Sequence, residues 1–521
     1  MKSLIRMIAA ALLVMVPASA LAREASKPPE LFYHIFVRSF ADSDGDRNGD
    51  LNGIRARLDY LQSLGVTTLL LTPLYPSPFY HNYFADDFDG IDREFGTMAD
   101  FRALVGDLHK RGMKIFLDEE IQYVTGQHDW YRLSHDQPGS RFDGFLLYKD
   151  AANHLPVPTL SASTDYLVWP NQRQQIFTVN LAEPKVRAHF TRYLKTWVDP
   201  DGDGEPRDGV DGFRIDHMMD DLDNRGVLTN LLREFWAPML GELRALNPKL
   251  RVIAEQADWG DGESFFTQGK VDMVFAFPIW RAAQTLDATA FAAAIERANR
   301  IITGKREQLV FIENHDTDRF ASGPGTTPAI QRLGAAIMML SGWTPSIYYG
   351  QELGMTGQKL ENPGSNADVA DIPRRKAVRW GDGAGGSGDA KWYCAVPDAY
   401  DAPDCHAAGD EVSVAQQDRD RTSLLNSYRA LAALRLRSPA LASGASRVIA
   451  QSKDLVMIER AKDSDRALIL FNFAGTAQSM TNPALPGGFT RRYGTATLSA
   501  SAEGIKLSAP AYSATVWTRA K

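Results

Sequence analysis

Eight short apolar runs recur between Leu31 and Tyr349, and each is followed by a connection that mostly carries helical periodicity. The runs are Leu31–Val37, Val66–Leu71, Lys114–Leu117, Val210–Ile215, Arg251–Ala254, Met273–Phe277, Leu309–Ile312 and Ser346–Tyr349. Near-continuous runs of Ile, Val, Leu and Phe suit strands covered on both faces, as in a parallel sheet; a strand with one wet face would alternate. The segments Ile54–Leu64, Met98–Arg111, Lys185–Val198, Leu228–Leu246, Ala288–Ile302 and Ala329–Leu340 place apolar residues at helical spacing. Gly65 and Gly112 stand where C-terminal glycine caps belong. Eight such repeats predict an α/β fold, a (β/α)8 TIM barrel. The rival is an open doubly wound sheet, but no Gly-rich phosphate loop follows the first run.

A chain of 521 residues exceeds one ordinary core, so further domains are expected. The connection between the third and fourth runs is far too long for a simple crossover. Its part 119–175 is rich in Tyr, Trp, His and Asp and reads as an inserted subdomain. After a helix over Leu424–Leu441, the segments Leu455–Arg460, Arg466–Phe473 and Ala511–Arg519 predict a C-terminal antiparallel β-domain, 442–521. The barrel then comprises 23–118 and 176–441.

Lys2 and Arg6, the apolar run Met7–Val16 and the small residues Ala20-Leu21-Ala22 read as a cleavable signal peptide, residues 1–22. The run is short for a membrane span, so a periplasmic or secreted protein without stable membrane insertion is expected. In such a compartment Cys394 and Cys405 suit a local disulfide, worth about 2–3 kcal/mol; two free thiols are the other reading. The net charge of -7 argues against nucleic acid as a partner. Nothing in the sequence specifies an oligomeric state.

In a TIM barrel the chemistry sits where strands end at the C-terminal rim. Here those ends read Asp118-Glu119-Glu120, Arg214-Ile215-Asp216-His217, Glu255-Gln256 and Glu313-Asn314-His315-Asp316. Converging carboxylates repel one another unless function or a cation requires them. A structural ion-pair network would show the same residue types. Glycoside hydrolysis uses two carboxyls, ~5–5.5 Å apart in a retaining enzyme. Arg214, two residues before Asp216 on a strand, points to the same side and can keep it ionised as a nucleophile. Glu255 would hold the proton, its affinity raised by nearby negative charge.

Several ordered motifs resemble those of the α-amylase family, glycoside hydrolase family 13. They are Gly65-Val66-Thr67 with Leu71-Thr72-Pro73; Tyr83–Thr97; Gly212-Phe213-Arg214-Ile215-Asp216; Ile253-Ala254-Glu255; Asn314-His315-Asp316; and Thr344-Pro345 with Ile347–Gly350 and Glu352. The resemblance implies Asp216 as nucleophile, Glu255 as general acid/base and Asp316 as the third carboxylate on the sugar hydroxyls. It also implies substrate contacts from Arg214, His315 and Asp118, with Tyr83 stacking on the sugar. The implied activity is retaining cleavage of α-1,4-glucosidic bonds in starch-derived glucans or malto-oligosaccharides; a cyclomaltodextrinase, α-glucosidase or transglucosylase shares the same motifs. A barrel used only for sugar binding would have lost one of the three acids, and none is lost. In the third-strand motif Asp118 is kept, while Gln122 and Tyr123 replace the family's Asn and His. That removes a ligand of the family's usual calcium site, and leaves Tyr123 as the hydrogen-bonding substitute toward the sugar. Met219 and Asp220 also replace the family's Lys and His after the nucleophile.

The loop Asp42–Asp50 sets oxygen donors on alternate residues, as a hard cation requires. Arg47 and Gly53 rule out an EF-hand. A similar loop in many family members implies Ca2+ held by Asp42, Asp44, Asp46, Asn48 and Asp50. Asp199–Glu205 looks alike but lacks the last ligand.

Overall fold

The computed structural model describes residues 29–519 except 160–162, 365, 383–387, 407–412, 483–487 and 502–503. The expected signal peptide lies outside the described residues. Among those described, no helix is long and apolar enough to cross a membrane.

All eight apolar runs become strands of one closed parallel barrel. In chain order these are β1 (Phe32–Ile35), β2 (Thr68–Leu71), β3 (Lys114–Glu119), β7 (Gly212–Met218), β8 (Arg251–Gln256), β9 (Met273–Phe275), β10 (Glu307–Val310) and β11 (Thr344–Tyr348). Closure comes from β1, which pairs with β2 on one side and with β11 on the other. The side chains divide as two covered faces demand. Leu70, Phe32, Phe116, Ile253 and Leu309 fill the barrel interior, while Leu69 and Leu71 pack outward under the helices. At Gly212 an added Cβ would lie 2.2 Å from Phe116 and 2.3 Å from the Arg251 carbonyl, so only glycine lets β7 enter the barrel.

The helices start where their caps stand. Thr97 and Asp100 form a capping box on Met98–Lys110, and Asp287 caps Ala288–Ile301. Three expected helices are interrupted. Ile54–Leu64 is instead Leu51–Ala56, capped by Asp50, followed by Leu58–Ser63; the break falls at Arg57, whose guanidinium lies over Trp380. Leu228–Leu246 becomes a π-helical turn, Leu232–Trp236, running into Ala237–Leu246. Pro238 has no N–H for the Glu234 carbonyl, which accepts from Arg187 instead at 3.0 Å. Leu424–Leu441 divides at Ser438-Pro439 into Leu424–Arg437 and Pro439–Ser443.

The insertion carries a small antiparallel sheet of β4 (Tyr123–Thr125), β5 (Asp165–Val168) and β6 (Gln172–Thr178) in the order β4-β6-β5. Strand β6 continues past the expected boundary at 175 and returns the chain to the barrel. The C-terminal domain has a five-stranded sheet built on β12 (Ala445–Gln451), β13 (Leu455–Lys462), β14 (Asp465–Asn472), β16 (Phe489–Tyr493) and β19 (Ser513–Arg519). A second, three-stranded sheet is formed by β15 (Gln478–Asn482), β17 (Thr497–Ser501) and β18 (Gly504–Ala509). Leu468, Leu470, Leu507 and Trp517 form the core between the sheets. The opposite face meets the barrel, with Phe471 edge-on to Phe291 at 5.3 Å.

Cys394 and Cys405 are bonded, with Cα atoms 5.5 Å apart. The bridge closes a short loop in the connection after β11. Replacing both cysteines by serine should lower stability by about 2–3 kcal/mol through the freed loop of the unfolded chain. Equilibrium denaturation with and without reductant measures this, and equal midpoints for wild type and double variant would contradict it.

Candidate active site

The rim of the barrel is organised around Arg214, which is fully buried. Its Nη1 donates to both oxygens of Asp118, at 2.7 and 2.8 Å, and to Asp216 Oδ1 at 2.5 Å. Its Nη2 lies 2.8 Å from Glu255 Oε2. One guanidinium therefore contacts carboxylates from β3, β7 and β8. These are adjacent barrel strands, with Asp118 paired in register to Arg214 and Arg214 to Ile253. The alternation of side chains along β7 sends Arg214 and Asp216 to the same side.

The other half of the site follows β10. His315 Nε2 lies 2.9 Å from Asp316 Oδ2, and Arg375 Nη2 lies 3.2 Å from Asp316 Oδ1. Arg375 Nε also donates to the His315 carbonyl at 3.0 Å. The Tyr83 ring stacks on His315 at 5.1 Å, and its hydroxyl donates to Asp118 Oδ2 at 2.7 Å. Burial lowers His315, while the Asp316 carboxylate beside its Nε2 acts in the opposite sense.

The two central carboxyls are driven apart in proton affinity. Burial pushes Glu255 up to about 7; Arg214 opposes this, and the charges of Asp216 and Asp316 add to it. Burial acts on Asp216 in the same sense. It is outweighed by the His217 imidazolium and then by Arg214, so Asp216 stays well below the usual carboxylate range. Asp316 is also held low: His315, Arg375 and Arg214 together overcome its burial.

Asp216, Glu255, Asp316, His315 and Tyr83 line a cavity of about 240 Å³, which they share with His81, Phe84, His217, Trp259 and Arg375. The expected contacts of Asp118, Arg214 and Tyr123 need correction. Asp118 and Arg214 lie behind the wall, fully enclosed, and act on it through Asp216, Glu255 and Tyr83. The Tyr123 hydroxyl donates to Asp223, and its ring is outside the cavity wall. Sequence reasoning missed four residues. His217 and Glu120 were visible beside the motif acids but had no assigned part. Arg375 comes from a distant loop without a motif. Trp259, partly exposed and stacked on Phe277 at 5.1 Å and 4°, carries no sequence signal beyond its nearness to Glu255.

In the loop after β1, carboxylate oxygens of Asp42, Asp44 and Asp50 lie within 4.8 Å of one another. Asp46 is not in this group. Asp46 accepts from the Asn48 N–H, and the Asn48 side-chain oxygen accepts from Arg38 at 2.7 Å. The all-oxygen donor set fits a hard cation such as Ca2+ rather than a soft metal. In the second acidic loop carboxylate oxygens of Asp199, Asp201 and Asp203 likewise lie within 4.8 Å of one another, and Arg207 pairs with Asp203 and Glu205.

The profile of the α-amylase catalytic domain matches residues 34–444. The chain belongs to the α-amylase family. This α-amylase-family glycoside hydrolase is 26% identical over 455 residues to Alpha-amylase 3 of Dictyoglomus thermophilum, covering 85% of this chain and 81% of that protein. It is also 26% identical over 535 residues to Probable oligo-1,6-glucosidase 3 of Bacillus subtilis, covering 87% and 92%. Among solved structures, an α-amylase from H. orenii superposes with TM-score 0.77 at 24% identity, covering 95% of this chain and 100% of that one. The trehalulose synthase MutB from Pseudomonas mesoacidophila does so with TM-score 0.77 at 22% identity, covering 94% and 98%. At these identities the structures establish the shared fold.

Arg214→Met would leave three buried carboxyls around a neutral side chain. Breaking such a network should destabilise the fold by about 3–5 kcal/mol. Urea denaturation measures this; an unchanged midpoint would show that Arg214 does not hold the rim together.

Proposed function

We propose that the chain is a retaining α-glucosidase, acting on short α-linked gluco-oligosaccharides and releasing glucose from their non-reducing ends. The observation that carries this reading is the single guanidinium touching both Asp216 and Glu255. It draws both carboxyls onto one cation, which favours the ~5–5.5 Å separation of a double displacement over the ~6.5–9.5 Å of an inverting enzyme.

In the first step Glu255 donates its proton to the glycosidic oxygen while an Asp216 oxygen attacks C1. The C1–O bond breaks, the alcohol leaves and a glycosyl ester forms on Asp216. Glu255, now ionised, takes a proton from water, whose oxygen attacks C1 and frees Asp216. Two inversions return the α anomer. Asp316, braced by His315 and Arg375, is suited to accept hydrogen bonds from the sugar hydroxyls. The compact cavity favours one terminal glucosyl unit over a long glucan threaded through it. Trp259 offers an apolar face at its edge for the departing or accepting sugar. The similarity to proteins named α-amylase and oligo-1,6-glucosidase supports this class of substrates.

Timed products from maltotriose, soluble starch and γ-cyclodextrin test the reading. Early glucose in the α form, with slow loss of starch iodine staining, supports it. Rapid loss of staining with mixed oligosaccharides would assign an endo-acting α-amylase instead, and β-glucose would refute retention. Glu255→Gln should lower kcat by about 10²–10⁴-fold. The acid must be protonated, so kcat/KM should fall as pH rises through about 7, where Glu255 loses its proton.

We also infer that Asp42, Asp44 and Asp50 hold Ca2+, bracing the chain between β1 and the helix that Asp50 caps through the Gly53 N–H at 2.7 Å. Its contribution would be structural. Chelation should lower the Tm of the wild type, and Asp44→Asn should reduce that response. An unchanged Tm on chelation would count against a resident cation.

A further inference from the structure

His217 follows Asp216 directly, and its backbone lies in the left-handed region, with φ 40°. For a residue that is not glycine this is strained, and here it accompanies a ring turned onto the nucleophile. Nδ1 lies 2.7 Å from Asp216 Oδ2 and 3.7 Å from Glu120 Oε2. The His217 backbone N–H donates to Glu255 Oε2 at 3.3 Å. Glu120 is buried and held in turn by Gln122, whose backbone N–H and side-chain amide both donate to it. The same amide donates to the Asp216 carbonyl at 3.2 Å. Glu120, Gln122 and His217 thus form one connected unit against Asp216. Gln122 is one of the positions at which the third-strand motif departs from the family.

We propose that His217 is a positioning residue for Asp216: its imidazolium, seated between Asp216 and Glu120, locks the nucleophile's carboxylate and keeps it ionised on the acid side of neutrality. This rests on the reading of Asp216 as nucleophile. Arg214 takes Asp216 Oδ1 and His217 takes Oδ2, so rotating the carboxylate would break one charge-assisted contact or the other.

The surroundings favour the charged ring. Asp216 from β7, Glu120 after β3, Glu255 from β8 and Asp223 beyond β7 present carboxyls to it, and the hydroxyl of Tyr123 is spent on Asp223. The cations nearby are Arg214, which takes the other oxygen of Asp216, and Arg225, 3.8 Å from Asp223. Asp216 is accordingly the largest influence on His217, which rises well above the ordinary histidine value against a smaller opposing effect of burial. The His217 side chain is 47% exposed, so water screens part of this field, and the short contact with Asp216 is what persists.

The test is the pH dependence of kcat/KM for wild type and His217→Gln, which keeps a donor and removes the charge. Asp216 is depressed in the wild type, so losing the cation raises it. The acid limb should move to higher pH by about one pH unit. The Glu255 limb should also move up, because His217 no longer lowers that group. An acid limb that stays in place or moves down overturns the proposal. Histidine NMR of the wild type, assigned by the signal missing in His217→Gln, gives an independent reading: an imidazolium persisting to pH 8 supports it, and titration near the ordinary value of about 6.5 overturns it. Wild-type turnover by Asp216→Asn would remove the underlying assignment and this inference with it. An inactive Asp216→Asn beside an unmoved His217→Gln acid limb removes the inference alone.

Discussion

The structure of the rim depends on one buried cation. Arg214 has no exposure and faces Asp118, Asp216 and Glu255 at once. Desolvating such groups is expensive, and only close, multiple contacts offset it. The planar guanidinium suits this task, since its nitrogens reach different carboxylates without rearrangement; a lysine would present one point of charge. The closed barrel supplies the geometry. Adjacent parallel strands deliver their last side chains to the same rim in register, which no single helix or loop could do for residues spread over well over a hundred positions.

Around that cation the site separates two chemically identical groups. Both Asp216 and Glu255 are buried, and burial alone would protonate both. Asp216 is contacted on both oxygens by cationic groups and stays charged. Glu255 shares Arg214 but feels the charges of Asp216 and Asp316, and holds its proton near neutrality. Environment rather than residue type thus separates a nucleophile from an acid. His315, stacked on Tyr83 and with Nε2 2.9 Å from Asp316, extends the same economy of contacts to the third carboxylate.

The wall of the cavity beyond these acids comes from connections rather than strands. Trp259 follows β8, Arg375 belongs to the segment after β11, and His81 and Phe84 lie in the loop after β2. This is how one barrel accommodates many specificities: the strand ends retain the chemistry while the loops shape what reaches it. Within the third-strand motif, Tyr123 donates to Asp223, and Glu120 and Gln122 are joined by a hydrogen bond beside His217.

Much of this was legible in the amino-acid order. The eight runs specified barrel strands because a parallel sheet covered on both faces needs near-continuous apolar sequence, and the acids at the run ends could only gather at one rim. Local chemistry also marked Asp50, Thr97 and Asp287 as helix starts. The break at Arg57, whose guanidinium lies over Trp380, carried no local signal; Pro238 was such a signal, but Arg187, which takes the carbonyl it leaves free, lies elsewhere in the chain. The direction of Tyr123, the withdrawal of Asp118 and Arg214 behind the wall, and the arrival of Arg375 were decided by tertiary structure alone. Sequence periodicity records which face of an element is covered. It does not record which of several distant side chains will occupy the space in front of it.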